Sequence, residues 1–322
     1  MIASRTLGRT GRSVFPIGFG AWGIGGATDG QTSYGATDDR ASLEALQTAM
    51  ALGINFYDTA ALYGYGKSEQ LIGESFSSRR DRAIIATKAG YLRYDQPADF
   101  SPASLTRSLM DSLSRLKTDH IDLFQLHNPA PSDLIEQPFI LGTLQKLQRE
   151  GLIRSIGASV KSPMDGLTII NHFDVDALQI NFNMMDLRAL ETGLLDRAVE
   201  RNIAIIARTP LAFGFLSGSV TRDTVFPEGD HRRKLPPSQI ARWIEGSNRL
   251  FEVADQPDTQ TRSQIALRFC LSFEGISVVI PGMLTADEVR ANIFAAELGP
   301  LPLDAVERIL NIYRQYTFAE PA

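Results

Sequence analysis

Cysteine is nearly absent: Cys270 is the only one in 322 residues, so no intrachain disulfide can form. Its neighbours, Ile265 to Leu271, read as an apolar helix, where a buried inert thiol is expected and not a nucleophile. Histidine is scarce, at four residues with no His-x-His pair, which argues against a metal hydrolase. Positive charge is not in excess either. Lys+Arg number 32 against 37 Asp+Glu, a net charge of −5, so nucleic acid is not expected as a partner. No apolar run approaches the roughly 18 residues of a membrane span. The first residues, Met1 to Thr6, lack the apolar core of a signal peptide. These absences lead us to expect a cytoplasmic chain with no membrane partner. No linker or low-complexity tract divides it, so one domain over 1–322 is expected.

What the chain does contain is a repeat of short β-rich runs and longer amphipathic stretches. The runs fall at 14–19, 55–58, 83–88, 121–127, 153–159, 177–181, 203–208 and 276–280. They are apolar on both faces, as strands buried on both sides should be. Between them lie helix patterns. In 38–52, Leu43, Leu46, Ala49 and Met50 recur at three-to-four spacing, and Gly53 follows as a stop. Ser101-Pro102 suits an N-cap and first helical position, with Leu105, Leu109, Leu113 and Leu116 on one stripe. Further helices are predicted at 69–77, 141–149, 163–172, 190–201, 261–273 and 285–297. Eight β-plus-helix units imply an α/β fold, a closed (β/α)8 TIM barrel. An N-terminal hairpin over 5–12 and an extra C-terminal helix over 302–316 flank it, and residues 216–260 read as a long loop.

Such a barrel carries its active site at the C-terminal ends of its strands. There the sequence places Asp58, Lys88 and His127 at the ends of three successive strands, with Tyr63 a few residues past Asp58. Each has a plain structural reading: a capped loop, a solvated charge, a turn aromatic, a ring bonded to a loop carbonyl. Together they suit one task. Reducing a carbonyl leaves an alkoxide that must be protonated. Tyrosine is a reluctant donor, with an ordinary pKa near 10, and a neighbouring ammonium eases the proton's departure. Asp58 can hold Lys88, and His127 can orient the substrate oxygen.

These residues carry a resemblance. Residues 53–60, followed by Tyr63-Gly64 and Ser68-Glu69, resemble the aldo-keto reductase family, and the likeness continues through 85–88, 151–159, 179–183, 210–218 and 280–282. It implies a barrel that binds a nicotinamide cofactor without a Rossmann domain and interconverts a carbonyl and its alcohol. The family's catalytic Asp, Tyr, Lys and His fall on Asp58, Tyr63, Lys88 and His127. A non-catalytic cofactor-binding subunit of the same fold is the alternative. Consistent with the resemblance, Gly18-Phe19-Gly20 lacks the third glycine and helix of a Rossmann fingerprint.

The resemblance also implies the cofactor's bed. Gly20, Ala21 and Trp22 pass beside the nicotinamide, and Ser159 and Gln179 meet its carboxamide. Many relatives follow that serine with Asn; this chain has Val160. Arg208 stands where others stack a tyrosine on the ring, and it either lies flat there or reaches a phosphate. Thr209, Pro210, Leu211, Gly214 and Leu216 cradle the pyrophosphate. Gly282, Met283, Leu284, Glu288 and Asn292 face the adenosine. Relatives selecting a 2′-phosphate carry a cation at the positions of Leu284 or Glu288, and both are missing here. Family habit still favours NADP(H), with Arg232-Arg233-Lys234 as a replacement source of charge, and NAD(H) is the alternative. Trp22, Tyr63, Tyr91 and His127 are expected around the substrate. Asp29, Gln31, Thr32, Ser33 and Tyr34 give the first loop a polar character, which suits a small polar or sugar-like carbonyl compound better than a steroid.

Overall fold

The computed structural model describes residues 2–30, 32–254 and 259–318. Two short strands, β1 (Arg5–Thr6) and β2 (Ser13–Val14), pair antiparallel as the N-terminal hairpin. The predicted first strand over 14–19 is therefore split. Val14 belongs to the hairpin, Pro16 has no N–H to give a ladder, and the continuous barrel strand is reduced to β3 (Phe19–Gly20), with Ile17 joining by an isolated bridge.

Strand and helix then alternate through α1 (Asp39–Ala51), β4 (Phe56–Asp58), α2 (Lys67–Phe76), β5 (Ile84–Ala89), α3 (Pro102–Leu116) and β6 (Ile121–His127). Next come α4 (Pro131–Glu136), α5 (Phe139–Arg149), β7 (Ile153–Ser159), α6 (Pro163–His172) and β8 (Ala177–Asn181). The chain continues with α7 (Arg188–Glu191), α8 (Leu194–Glu200), β9 (Ala204–Arg208), α9 (Pro237–Val253) and α10 (Arg262–Leu271). It ends with β10 (Ile276–Ile280), α11 (Ala286–Leu298) and α12 (Leu303–Gln315). Helix starts are capped as their residues dictate. Asp38, Ser101 and Ser162 accept from first-turn amides, and Thr261/Gln264 and Thr285/Glu288 form reciprocal capping boxes.

Two predicted helix boundaries change. The stretch 190–201 is two helices, broken where Gly193 takes a left-handed φ of 72°. The long loop over 216–260 contains α9, whose Ile244, Ser247, Leu250 and Phe251 are buried. Pro237 does not break that helix because it sits in the first turn, where its missing N–H costs nothing.

β3 to β10 form one parallel sheet in chain order. Parallel bridges Ile17↔Val279 and Gly20↔Gly282 bring the first strand against the last and close it. Closure needs glycine at 20: a Cβ there would lie 2.8 Å from the carbonyl oxygens of Ile280 and Pro281. Inside the barrel, Phe56, Ile84, Ala86, Leu123, Ala177, Ala204, Ile206, Val278 and Ile280 pack with Leu7 and Val14 of the hairpin.

That interior sets where polar groups emerge. Side chains two apart on a strand share a face. Phe56 is thus followed by Asp58, Ala86 by Lys88, Leu123 by Gln125 and His127, Ala177 by Gln179, and Ile206 by Arg208. Each of these five rows is apolar near the hairpin and polar at its C-terminal end.

Candidate active site

The polar ends converge at one mouth. Lys88 Nζ donates to Asp58 Oδ2 at 2.6 Å, to the Thr59 carbonyl at 2.8 Å and to Tyr63 Oη at 3.3 Å, so all three ammonium protons are assigned. Both members of the ion pair are buried. The second carboxylate oxygen of Asp58 accepts from Gln179 Nε2 at 2.7 Å and Gln125 Nε2 at 3.2 Å. A buried charge pair is tolerable only when its remaining hydrogen-bonding capacity is met, and the two glutamines do that. Gln125 was not singled out from sequence. Its signal was there, two residues before His127 and so on the same inward face.

Tyr63 is held by a backbone contact that only glycine permits. Gly64, at φ 59°, lies against Gly25, and a Cβ on it would come within 2.1 Å of the Gly25 carbonyl oxygen. This fixes the turn carrying Tyr63 beside the loop after β3. The Tyr63 ring then stands edge-on to His127, centroids 6.1 Å apart, with Lys88 Nζ 4.9 Å from its centre. Tyr91 also meets His127 edge-on, at 5.7 Å.

Burial, then the nearby charges of Lys88, Arg208 and Lys161, hold the His127 imidazole well below its ordinary titration range. It is neutral at physiological pH, and its Nδ1 is buried without a partner. The sign of the stability effect follows. Unfolded histidine takes a proton near pH 6.5, while the folded site resists it, so stability is full above that pH and falls as pH drops below it. We expect the melting temperature of His127→Gln to decline less than that of the wild type between pH 7.5 and 5.5. Parallel declines would show that His127 does not titrate as described.

The lining sorts the sequence expectations. A cavity of about 350 Å³ is lined by Gly20, Trp22, Asp58, Tyr63, Tyr91, His127, Gln179 and Arg208, together with Tyr34, Tyr94, Asn128 and Phe213, and with Lys161, which sequence did not place around the substrate or cofactor. A groove continues from it past Thr209, Pro210, Leu211, Gly214, Gly282, Leu284, Glu288 and Asn292. The two share Gly23, Tyr34, Thr209, Phe213 and Gly282. Ala21, Ser159, Leu216 and Met283 are fully buried and line neither. Thr32 and Ser33 are buried within their loop, so the lining is more aromatic than expected. Gln31 lies outside the described residues.

Trp22 is a wall of the cavity and not a core aromatic. Its Nε1 donates to Tyr94 Oη at 3.1 Å, and its ring meets Tyr34 and His231. Two loops far apart in sequence roof this wall, joined by a bridge between Ser33 and Asp230. Buried Asp230 is gripped by Arg232 through two oxygens at 3.0 and 2.6 Å, while the third guanidinium nitrogen donates to the Phe213 carbonyl. Arg232 therefore reaches the groove with its charge already matched. Arg233 and Lys234 do not line it.

Backbone strain gathers here too. Tyr65, Asn128, Thr209, Ala212 and Phe213 all hold left-handed φ between 45° and 57°. Such conformations persist only where the surroundings enforce them, and they cluster at functional sites.

Polar atoms left unpaired in the cavity wall and in the buried layer behind it fit a nicotinamide. Ser159 Oγ and Arg208 Nε are buried with no partner, and buried polar groups are normally satisfied. The groove beyond offers backbone and small side chains to an elongated ligand. Among the described residues, no group of three or more His, Cys, Asp or Glu could hold a metal ion. No described helix is long and apolar enough to cross a membrane. Cys270 is buried, and burial pushes its thiol up and out of reactive range.

Comparison with known proteins agrees with the geometry. Residues 16–314 match the family model described as the aldo/keto reductase family. An NADP(+) aldo-keto reductase of Schizosaccharomyces pombe is 30% identical over 92% of this chain and 87% of its own. The NADH-specific methylglyoxal reductase of Escherichia coli K12 is 27% identical over 93% of this chain and 95% of its own. A Bacillus halodurans aldo-keto reductase solved in holo form superposes with a TM-score of 0.79 at 27% identity, covering 99% of this chain and 98% of that one.

Proposed function

The chain belongs to the aldo/keto reductase family and is an NAD(P)-dependent carbonyl oxidoreductase; from that premise we propose that Tyr63 is its general acid and base. The observation that carries the reading is the Asp58–Lys88–Tyr63 relay at the floor of the cavity. Gly20, Gln179, Arg208 and Thr209 would hold the nicotinamide end of the cofactor. Pro210, Leu211 and Gly214 would hold its middle, and Gly282, Leu284, Glu288 and Asn292 the adenosine. When bound, the reduced cofactor supplies hydride to the carbonyl carbon.

The chain's residues do the rest. Neutral His127 donates a hydrogen bond that orients the carbonyl oxygen. Tyr63 gives that oxygen its proton, and Lys88 stabilises the phenolate left behind. Asp58 fixes Lys88, and Gln125 and Gln179 fix Asp58. In the oxidative direction Tyr63 takes the proton back. General acid catalysis of this kind is worth about 10²–10⁴ in rate.

Family habit favours NADP(H), but the lining of this groove supports NAD(H). Arg232 is matched by Asp230, Leu284 carries no charge, and Glu288 presents a carboxylate where a 2′-phosphate would lie. That carboxylate also accepts from the Leu284 amide at 2.6 Å, which holds it in place. Like charges at close range are costly. We expect NADH to bind at least about tenfold more tightly than NADPH, a difference of roughly 1.4 kcal/mol. Leu284→Arg should narrow the gap. Titration of protein fluorescence, with Trp22 in the cavity wall as reporter, measures both constants. Equal or tighter NADPH binding in the wild type would refute the preference.

A further inference from the structure

The charge inside the cavity does not match the charge of the chain. The whole protein carries −5. Yet the cations acting on His127 are Lys88, Arg208 and Lys161, and Asp58 is the one carboxylate in the lining. The nearby acids are already matched: Asp29 and Asp95 by Arg93, Asp186 by Arg188, and Asp230 by Arg232. Lys88 is matched by Asp58. Arg208 is tied to the Val160 carbonyl at 3.1 Å and lies inside the cavity.

Lys161 is different. It follows β7 by two residues, lines the cavity on the side of His127 and Asn128, and is solvent-exposed at the rim. Among the described residues its ammonium makes no hydrogen bond or ion pair. Five aromatic side chains share the lining of this space with it: Trp22, Tyr34, Tyr91, Tyr94 and Phe213. A free cation at the edge of an apolar pocket attracts an anion more strongly than one on an open surface, because the low-dielectric walls focus its field.

We propose that the substrate of this enzyme is a small carbonyl compound bearing an anionic group, carboxylate or phosphate, and that Lys161 is the residue that selects it. The assignment rests on the carbonyl-reduction reading above. The carbonyl lies at Tyr63 and His127, and the anion reaches outward to the Lys161 ammonium. No covalent step is added; Lys161 acts on binding alone.

Two matched pairs test the proposal with reduced cofactor present: glyceraldehyde 3-phosphate against glyceraldehyde, and succinate semialdehyde against butyraldehyde. We expect kcat/KM to favour the charged member of at least one pair by about tenfold or more, the scale of one charge-assisted hydrogen bond. A phosphate-only or carboxylate-only preference identifies the group. Raising the ionic strength should lower the ratio. Lys161→Met should bring it near one, Lys161→Glu below one, and Lys161→Arg should keep it. A wild-type ratio near one in both pairs, or a ratio unmoved in Lys161→Met, overturns the proposal.

A binding measurement separates this proposal from the reading it rests on. Glycerol 3-phosphate and succinate, but not glycerol, should perturb the fluorescence of the cofactor-loaded protein, and Lys161→Met should abolish the effect. Anion binding without turnover of any aldehyde would refute the reductase reading while sustaining the anion site. Turnover without charge preference would do the reverse.

Discussion

Tyr63→Phe should lower kcat for aldehyde reduction by about 10²–10⁴, the value of a positioned general acid. The change removes one oxygen. That oxygen's hydrogen bond within the protein is the 3.3 Å contact from Lys88 Nζ, and the residue is only half-buried. The fold should therefore be nearly unaffected, with stability moved by no more than about 1 kcal/mol. Cofactor affinity should change by less than about twofold, since nothing in the groove leans on the hydroxyl. The separation is diagnostic: rate is lost while binding and melting temperature stay. A Tyr63→Phe enzyme that kept wild-type kcat would remove the tyrosine from the chemistry.

Lys88→Met should be more damaging, because it fails twice. The ammonium serves Tyr63, so the rate should fall at least as far as in Tyr63→Phe. It also neutralises Asp58, whose carboxylate would be left buried with only the two glutamine amides. Breaking one side of a buried ion pair costs about 3–5 kcal/mol. Asp58→Asn added to Lys88→Met removes the stranded charge. The double variant should melt above Lys88→Met alone while remaining inactive. Denaturant unfolding of the wild type, both single variants and the double gives the coupling directly. Additive losses would mean that the pair does not behave as a buried ion pair.

Much of this site could be read from sequence because a closed parallel barrel imposes its own order. Once eight strand ends were in place, Asp58, Lys88 and His127 had to share a mouth, and the register puts Lys88 opposite Gln125 and His127 opposite Ser159. What was missed has physical reasons. The inward rows look apolar from sequence because their first members are, so Gln125 was passed over as part of a buried run. Pro16 split the first strand and Pro237 opened α9, the same residue type breaking one element and starting another. The loop cations 232–234 looked like free charge available to a phosphate. Arg232 is instead matched by a carboxylate two residues away, a pairing visible only once Asp230 is seen to be buried. Lys161 gave no sequence signal: a lysine after a strand is usually a solvated charge, and only the shape of the cavity makes it more.

One measurement tests the central claim most directly. Purified protein is mixed with one equivalent of reduced cofactor and excess aldehyde, and cofactor oxidised and alcohol formed are both counted. The geometry of Asp58, Tyr63, Lys88 and His127 predicts one alcohol for every cofactor oxidised. Cofactor that binds in the groove and stays reduced across aldehydes, with and without an anionic group, would contradict it and leave a chain that holds a nicotinamide without using it.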